Sequence, residues 1–343
     1  MKRIISLVLV FSLLFSFSGC KPKKEKFTDY SFDSFDTVTT IIGFEKDKET
    51  FNEVCEFIKA ELYEYHKLYN IYNSYEGVKN LYTINKEKNV SGVDSRIVDL
   101  LNFCKEMYTL TNGETNVAYG SVLKIWHDCR EAGLKDPETA YLPDMLALSE
   151  AAKHTNINNL AIDKETSTVT LLDNEMLIDV GAVAKGYATE CVAKKLAEKG
   201  ISGYLLNVGG NIKIVGDRTD GEKWVIGIEN PDATEDVPYI EFLELDKFSL
   251  VTSGNYQRFY TVNGKNYHHI IDTKTNMPSG YFKLVSVICE DSGKADALST
   301  ALFCMSFEDG KKLVDSLEGV EAVWLFTDGE KSYSANFLNY RQK

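Results

Sequence analysis

The sequence predicts an α+β fold in which one compact domain of mixed and antiparallel sheets with packed helices extends from about residue 31 to residue 343. Helical periodicity dominates the first half of the chain, and alternating strand patterns dominate the second half. Strands and helices do not alternate regularly, which argues against a doubly wound parallel sheet. The chain has six prolines and no Ser/Gly-rich linker, so no segment divides this region into separate domains.

Apolar residues recur at helical spacing in the first half of the chain. Phe51, Val54, Cys55, Ile58 and Leu62, for example, fall on one face of a helix. The predicted elements, in chain order, are a strand pair within 32–44, a helix over 50–68, a tyrosine-rich loop over 69–82, a helix over 95–110 and a helix over 143–153 that begins with Pro143.

Turn signals and alternation predict strands in the second half. Residues 161–172 are expected to form a hairpin, and Asn263-Gly264 has the composition of a two-residue hairpin turn. Asp328-Gly329 predicts a further hairpin near the C-terminus. A helix is predicted over 295–305.

The segment 177–217 combines a strand that ends at Val180, a sharp turn, a helix that begins near Val183 and a Gly209-Gly210 corner between two further strands. Its spacing matches neither a dinucleotide-binding GxGxxG motif nor a P-loop. Glycines let the backbone approach a ligand closely, and an acid and a lysine beside them indicate a polar, phosphorylated ligand.

Charge and cysteine content exclude two classes of site. The formal net charge is −13, which argues against a nucleic-acid partner. The seven cysteines show no CxxC or Cys-His spacing, so a zinc site is not expected. Cys55, Cys104, Cys191 and Cys304 fall on apolar faces of predicted helices, which favours buried thiols over disulfides.

The N-terminus has the pattern of an export signal. Lys2 and Arg3 precede an apolar run over 4–17, which is too short for an ordinary membrane span. Ser18-Gly19-Cys20 resembles a bacterial lipoprotein signal, in which Cys20 is lipidated after residues 1–19 are removed. We expect residues 20–30 to form a polar tether and the chain to be anchored at the outer face of the cytoplasmic membrane. Simple secretion with a free Cys20 is the alternative.

Three segments carry candidates for chemistry. In the first, Asp179 and Lys185 flank the glycine-containing turn before a helix, whose N-terminus attracts anions. In the second, Asp296 and Thr300 are spaced i, i+4 on one helix face and offer the hard oxygen donors that Mg²⁺ prefers. The alternatives are an ordinary strand-to-helix corner with a surface lysine, and a helix-start aspartate beside an unremarkable threonine.

The third segment leaves the Asn-Gly hairpin. Alternation places Tyr267, His269 and Ile271 on one strand face, and a two-residue turn places Arg258 opposite His269. A histidine in this position can act as a base, although a packed or surface histidine is the commoner case.

Five motifs in this order, DVGAVAKGYATE, LNVGGNIKIVGD, SGNYQRFY, HHIIDTKTNMP and ADALSTAL, resemble the ApbE family of FAD:protein FMN transferases. The resemblance extends to the first half through Phe35-Asp36-Thr37, Asn70-Ile71-Tyr72, Thr111-Asn112-Gly113 and the segment from Leu123 to Trp126. It implies a T-fold-related domain and an enzyme that cleaves FAD with Mg²⁺, passes FMN to a threonine hydroxyl of a partner protein and releases AMP.

The resemblance also implies roles for individual residues. Asp296 and Thr300, with a backbone carbonyl near Ala182, match the metal ligands, and His269 matches the proposed base. The catalytic residues are therefore His269 and Asp296. The positions expected to contact FAD are Phe35, Tyr72, Glu114, Thr115, Asn116, Asp179, Lys185, Gly209, Gly210, His269 and Ile271. Residues 114–116 depart from the family pattern, as do Thr273 and Asn276.

The implied partner is an acceptor flavoprotein with a Ser/Thr-Gly-Ala-Thr-type site. Subunits of Rnf or Na⁺-pumping NADH:quinone reductase complexes and FMN-bearing extracellular reductases are examples. Two other functions remain open at this stage. Water in place of the threonine would make the same site an FAD pyrophosphatase that yields FMN and AMP. A chain without catalysis would be an FAD-binding lipoprotein, and a purely structural envelope protein is the least favoured reading.

Overall fold

The computed structural model describes residues 24–234 and 236–343. The predicted signal segment over 1–19 and the predicted lipidation site at Cys20 lie outside the described residues. None of the helices that the structure describes combines the length and the apolar character needed to cross a membrane.

Seventeen strands and eight α-helices are present in the described part of the chain. The strands are β1 (Glu25–Ser31), β2 (Thr39–Glu45), β3 (Asn89–Val90), β4 (Leu160–Asp163), β5 (Thr168–Leu171), β6 (Tyr204–Val208), β7 (Asn211–Val215), β8 (Trp224–Glu229), β9 (Tyr239–Leu245), β10 (Ser249–Gly254), β11 (Phe259–Val262), β12 (Lys265–His268), β13 (Ile271–Asp272), β14 (Met277–Pro278), β15 (Phe282–Cys289), β16 (Glu321–Phe326) and β17 (Lys331–Tyr333). The helices are α1 (Lys48–Tyr69), α2 (Leu81–Glu87), α3 (Ser95–Leu110), α4 (Gly120–Lys135), α5 (Met145–Ala151), α6 (Ala184–Glu198), α7 (Ser292–Cys304) and α8 (Phe307–Asp315).

The centre of the fold is an antiparallel sheet with the strand order β1-β2-β6-β7-β10-β15-β16-β17. Its central strands are apolar on both faces because each face is covered. On β10, for example, Leu250 packs toward the β8–β9 ribbon, and Val251 packs toward α7. The sheet therefore lies between a helical layer and a β-ribbon, which confirms the predicted α+β class.

Helices α6 and α7 pack against each other and against the sheet, while α1 and α3 enclose the outer side of α6. A separate small core forms where α4 packs on the β11–β12 hairpin. The cysteines that the structure describes are unpaired, and all are buried except the half-buried Cys191.

Several predicted boundaries are corrected. Strand β1 covers 25–31, so residues 25–30 belong to the main sheet and not to the predicted tether. Residues 32–38 then form a turn rather than the first strand of a pair. Pro143 precedes the third predicted helix, because Asp144 caps α5 by accepting the Leu146 N–H at 2.9 Å. Residues 174–183 contain no strand, although a strand was expected to end at Val180.

Candidate active site

A cavity of about 600 Å³ opens between the ends of α6 and α7, the β6–β7 corner, α4 and the β11–β12 hairpin. Its walls come from segments far apart in the sequence, and they include thirteen of the fourteen predicted contact residues. These are Tyr72, Glu114, Thr115, Asn116, Asp179, Ala182, Lys185, Gly209, Gly210, His269, Ile271, Asp296 and Thr300. The structure thus brings the three segments that carry candidate functional residues together in one site.

Asp296 is the deepest carboxylate of this cavity, with 4% of its surface exposed. It lies on α7, which begins at Ser292 because the side chain of Asp291 accepts the Lys294 N–H at 2.9 Å. Oδ2 of Asp296 accepts the backbone N–H of Gly186 at 2.8 Å. Burial raises the pKa of this carboxyl, and both Lys185 and the Gly186 N–H oppose that rise. The carboxylate is therefore held in a place where a cation would be favoured.

The same contact frees a backbone carbonyl at the start of α6. The residue at the cap position, Val183, makes no side-chain cap, so the first N–H groups of α6 need other partners. Gly186 turns its N–H to Asp296 and not back to the carbonyl of Ala182. The Ala182 carbonyl is consequently left beside the cavity with lone pairs available to a ligand.

Thr300 lies one helical turn after Asp296 and also lines the cavity. Its Oγ1 is 3.4 Å from Oγ of Ser253 on β10, so two hydroxyls lie close together in the cavity wall. Asn211 adds its terminal amide 3.2 Å from Asp296 Oδ1, and the NH₂ end faces the carboxylate because a carboxylate only accepts.

This donor set decides which metal the site fits. Within residues 24–234 and 236–343, no group of three or more His, Cys, Asp and Glu side chains could hold a metal ion. A carboxylate, a hydroxyl and a free carbonyl are hard oxygen donors, the type of ligand that Mg²⁺ would take.

Asp179 and Lys185 flank the turn before α6. Oδ1 of Asp179 accepts the Gly181 N–H at 2.8 Å, and burial in the cavity wall raises the pKa of this carboxyl. The Lys185 ammonium lies 3.4 Å from the Gly181 carbonyl and 4.0 Å from Asp296 Oδ2. Lys185 therefore points along the cavity wall toward the buried carboxylate, where an anionic ligand would meet it together with the α6 N-terminus.

His269 follows β12 and faces the cavity as an uncharged imidazole. Burial, with the nearby positive charge of Arg258 as a further cause, lowers its pKa to about 3. Its Nδ1 lies 3.2 Å from the backbone carbonyl of Arg258, and a carbonyl can only accept a hydrogen bond. Nδ1 therefore carries the proton, and Nε2 keeps the lone pair that a general base requires.

The Gly209-Gly210 corner connects β6 and β7 with positive φ angles of 57° and 91°. A Cβ on Gly209 would lie 2.4 Å from the Thr37 hydroxyl oxygen, so only glycine fits there. The corner thereby brings Thr37 and the preceding turn to the cavity.

The divergent segment 114–116 lines the cavity, but much of its polarity is used within the protein. Glu114 forms an ion pair with Lys274, the Thr115 hydroxyl donates to the Ala297 carbonyl at 2.7 Å, and the Asn116 amide donates to the Thr155 carbonyl at 2.9 Å. The departure from the family pattern thus coincides with a structural role for these side chains.

The two predicted aromatic contacts differ in their placement. Tyr72 is half-exposed in the cavity wall, and its ring stacks on His127 with the centroids 4.6 Å apart. Phe35 corrects our prediction: its ring packs edge-on against His66 instead of lining the cavity, and its neighbours Asp36 and Thr37 line it in its place.

Sequence reasoning did not single out several polar wall residues as part of the site, among them His127, Arg130 and Asn211. Arg130 donates to Nδ1 of His127 at 3.0 Å, which orients the ring beneath Tyr72. His127 and Arg130 are spaced i, i+3 on a helix that was not predicted, so no pattern singled them out. Asn211 lay within a recognised motif, but only the fold shows that its amide faces Asp296. Arg258 was predicted to lie opposite His269, and the register of the β11–β12 hairpin confirms this pairing.

The fold and the cavity define a class: an α+β protein whose antiparallel sheet and paired helices enclose a polar cavity with a buried carboxylate and a lysine in its wall. The family model described as ApbE family matches residues 35–324. The chain belongs to the ApbE family, which confirms the resemblance.

Relatives and solved structures agree with this assignment. The chain is 26% identical over 317 residues to the FAD:protein FMN transferase of Haemophilus influenzae, a match that covers 89% of this chain and 88% of that protein. It is 30% identical over 261 residues to the protein of the same name from Treponema pallidum, covering 72% and 70%. The crystal structure of the ApbE protein from Thermotoga maritima matches with a TM-score of 0.81 and 26% identity over 93% of this chain and 100% of that one.

Proposed function

We propose that this protein transfers FMN from FAD to a threonine hydroxyl of a partner flavoprotein in a reaction that requires Mg²⁺ and releases AMP. The coarser part, an enzyme that moves FMN from FAD to a protein, is confirmed by the shared name of the curated relatives. One observation carries the finer part: the buried carboxylate of Asp296, the Thr300 hydroxyl and the free Ala182 carbonyl meet in the cavity that also holds Lys185 and neutral His269.

The site residues divide the work of the reaction. A Mg²⁺ ion held by Asp296, Thr300 and the Ala182 carbonyl would neutralise charge on the FAD diphosphate. Lys185 and the N-terminus of α6 supply further positive potential on the same side. Nε2 of His269 accepts the proton of the threonine hydroxyl while the threonine oxygen bonds to the FMN phosphorus and the bond from that phosphorus to the AMP oxygen breaks.

The expected acceptor carries a Ser/Thr-Gly-Ala-Thr-type site, as in subunits of Rnf or Na⁺-pumping NADH:quinone reductase complexes or in FMN-bearing extracellular reductases. We also propose export and a lipid anchor at Cys20, which would hold the enzyme at the outer face of the cytoplasmic membrane. The basic start, the apolar run and Ser18-Gly19-Cys20 support this proposal. Because β1 begins at Glu25, only residues 20–24 would separate the lipid from the folded domain.

A mass assay tests the function. The purified protein is incubated with FAD, Mg²⁺ and an acceptor domain that contains the Ser/Thr-Gly-Ala-Thr-type site, and the intact acceptor is weighed. We expect a gain of one FMN that disappears with EDTA and with an acceptor whose threonine is replaced by alanine. FAD consumption to FMN and AMP without acceptor labelling would identify a pyrophosphatase, and bound but intact FAD would identify a binding protein.

A further inference from the structure

Two consecutive residues at the cavity rim adopt a conformation that non-glycine residues avoid. Phe35 and Asp36 have φ angles of 58° and 49°, both in the left-handed region. This conformation is unfavourable for residues with a Cβ and persists only where surrounding contacts hold it. A contact of this kind must therefore act on the turn that carries Phe35 and Asp36.

His66, on α1, supplies that contact. The backbone N–H of Phe35 donates to its Nδ1 at 3.0 Å. Since Nδ1 accepts, the proton of the neutral imidazole sits on Nε2, which donates to the hydroxyl of Tyr75 at 3.0 Å. The ring edge of Phe35 also packs on the imidazole, with the centroids 5.8 Å apart. Burial lowers the pKa of His66, which keeps the ring neutral and Nδ1 free to accept.

The hydrogen bonds of His66 and Tyr75 extend to a second loop of the cavity wall, the loop that carries Tyr72. The Asn70 side-chain amide donates to the Tyr75 hydroxyl at 3.3 Å, and its Oδ1 accepts the N–H groups of Tyr72 at 2.9 Å and Asn73 at 2.7 Å. The hydrogen bonds from His66 through Tyr75 to Asn70 thus connect the turn at Phe35 with the turn that presents the Tyr72 ring.

The left-handed turn at Phe35 and Asp36 also supports the part of the cavity that contains Arg258, His269 and the Gly209-Gly210 corner. Its Asp36 carbonyl accepts from the Arg258 guanidinium at 3.3 Å, and the Val38 carbonyl accepts the Gly209 N–H at 3.1 Å. The backbone carbonyl of Arg258 in turn holds His269 through its N–H and its Nδ1, both at 3.2 Å. A turn that relaxed would withdraw a support from both the glycine corner and Arg258.

We propose that His66 is a positioning residue of the FAD site: it lies outside the cavity and, through the Phe35 N–H, holds the left-handed turn that completes the cavity wall. The proposal deepens the proposed function and rests on it for the identity of the ligand, but the conformation of the turn is measurable without FAD.

The test uses a substitution cycle in the full folded domain. His66→Leu removes the acceptor and keeps an apolar side chain, whereas His66→Asn keeps an oxygen at the position of Nδ1. Asp36→Gly removes the conformational penalty at one of the two left-handed positions. FAD dissociation constants are measured by titration, and amide hydrogen exchange is followed in the segment 35–38 without FAD. Thermal unfolding confirms that each variant is folded.

We expect His66→Leu to weaken FAD binding roughly tenfold and to speed exchange in the segment, as the loss of one hydrogen bond to a strained backbone predicts. His66→Asn should stay within about threefold of the wild type, and the effect of His66→Leu should shrink to about threefold in the Asp36→Gly background. Unchanged exchange and binding in His66→Leu would overturn the proposal, as would an undiminished effect beside Asp36→Gly. A wild type that binds no FAD but shows the expected exchange pattern would support the positioning role and refute only the proposed function.

Discussion

The backbone N–H of Gly186 donates to Oδ2 of Asp296 at 2.8 Å, and this hydrogen bond joins the N-terminus of α6 to the first turns of α7. Because a helix N-terminus attracts negative charge, α6 stabilises a carboxylate that burial would otherwise drive toward its protonated form. One interaction thus caps a helix, favours the charged form of Asp296 against the effect of burial on its pKa and leaves the Ala182 carbonyl free.

Gly186 is the position where this arrangement is most sensitive to added volume. A Cβ there would lie 2.3 Å from the Ser292 carbonyl oxygen and 2.5 Å from the Asp296 Cβ, so α6 and α7 would have to separate. We expect Gly186→Ala to lower the free energy of unfolding by about 2–3 kcal/mol and to reduce FAD binding. Gly280→Ala is the matched control, because a Cβ there meets no atom within 4 Å. Equal stability of the two variants would contradict the close helix contact.

Asp296→Asn tests the metal assignment with little change in shape. The amide oxygen can still accept the Gly186 N–H, but the charge that would bind Mg²⁺ is lost. We expect Mg²⁺-dependent transfer to fall by at least ~10²-fold, since even the indirect supports of a metal site are worth 10–100-fold. Higher Mg²⁺ should restore part of the rate in Thr300→Val and none in Asp296→Asn. Full transfer by Asp296→Asn, with Asp315→Asn as a surface control, would refute this metal site.

The sequence predicted the elements whose patterns are local. Helices α1 and α3 and the Asn263-Gly264 turn have strong periodicity or turn chemistry, and they form as expected. Helix α4 was missed because Gly120 and Gly133 lower helix propensity. In the structure both are required for packing: a Cβ on Gly120 would lie 2.5 Å from the Leu177 carbonyl oxygen, and one on Gly133 would lie 2.7 Å from the Tyr260 ring.

The site residues were found by resemblance, and their geometry came from the fold. No local pattern indicates that the Asp296 carboxylate receives a bond from Gly186, 110 residues away in the chain. The same limit explains Phe35, which occupies a family position but turns to His66 because of the left-handed backbone at that point. Long-range contacts decide where a side chain points, and spacing along the chain does not encode them.

Tyr72 allows a test of the aromatic wall. Its ring is oriented by stacking on His127, while its hydroxyl is 3.5 Å from His127 Nδ1, a long contact. We therefore expect Tyr72→Phe to keep FAD affinity within about threefold and Tyr72→Ala to lower it by roughly 3- to 10-fold, the range of one aromatic stacking contact. Fluorescence titration measures the affinities. Tyr281→Ala, which removes a similarly exposed tyrosine outside the cavity wall, should have no effect.

His269→Ala separates catalysis from binding. The His269 ring is uncharged near neutral pH, so its removal should change the electrostatic attraction for FAD very little. The acceptor threonine, in contrast, loses the base that removes its proton. We expect the transfer rate to fall by about 10²–10⁴-fold and the FAD dissociation constant to change far less. Single-turnover labelling and FAD titration give the two numbers. Equal losses in both would assign His269 to binding alone.

The lowered pKa of His269 also makes a prediction about stability. The folded imidazole titrates at about 3, and in the unfolded chain it titrates near its usual value of about 6.5. Below about pH 6.5 the unfolded state therefore binds a proton that the folded state does not bind. The contribution of the neutral His269 to the free energy of unfolding is complete above this pH and is lost as the pH falls toward 3. Between pH 7.5 and 5.5 the wild type should lose about 1 kcal/mol more stability than His269→Gln, which has no group that titrates there. Urea unfolding at the two pH values measures the difference. Parallel losses in the two proteins would mean that the folded imidazole titrates near its usual value and is protonated below about pH 6.5.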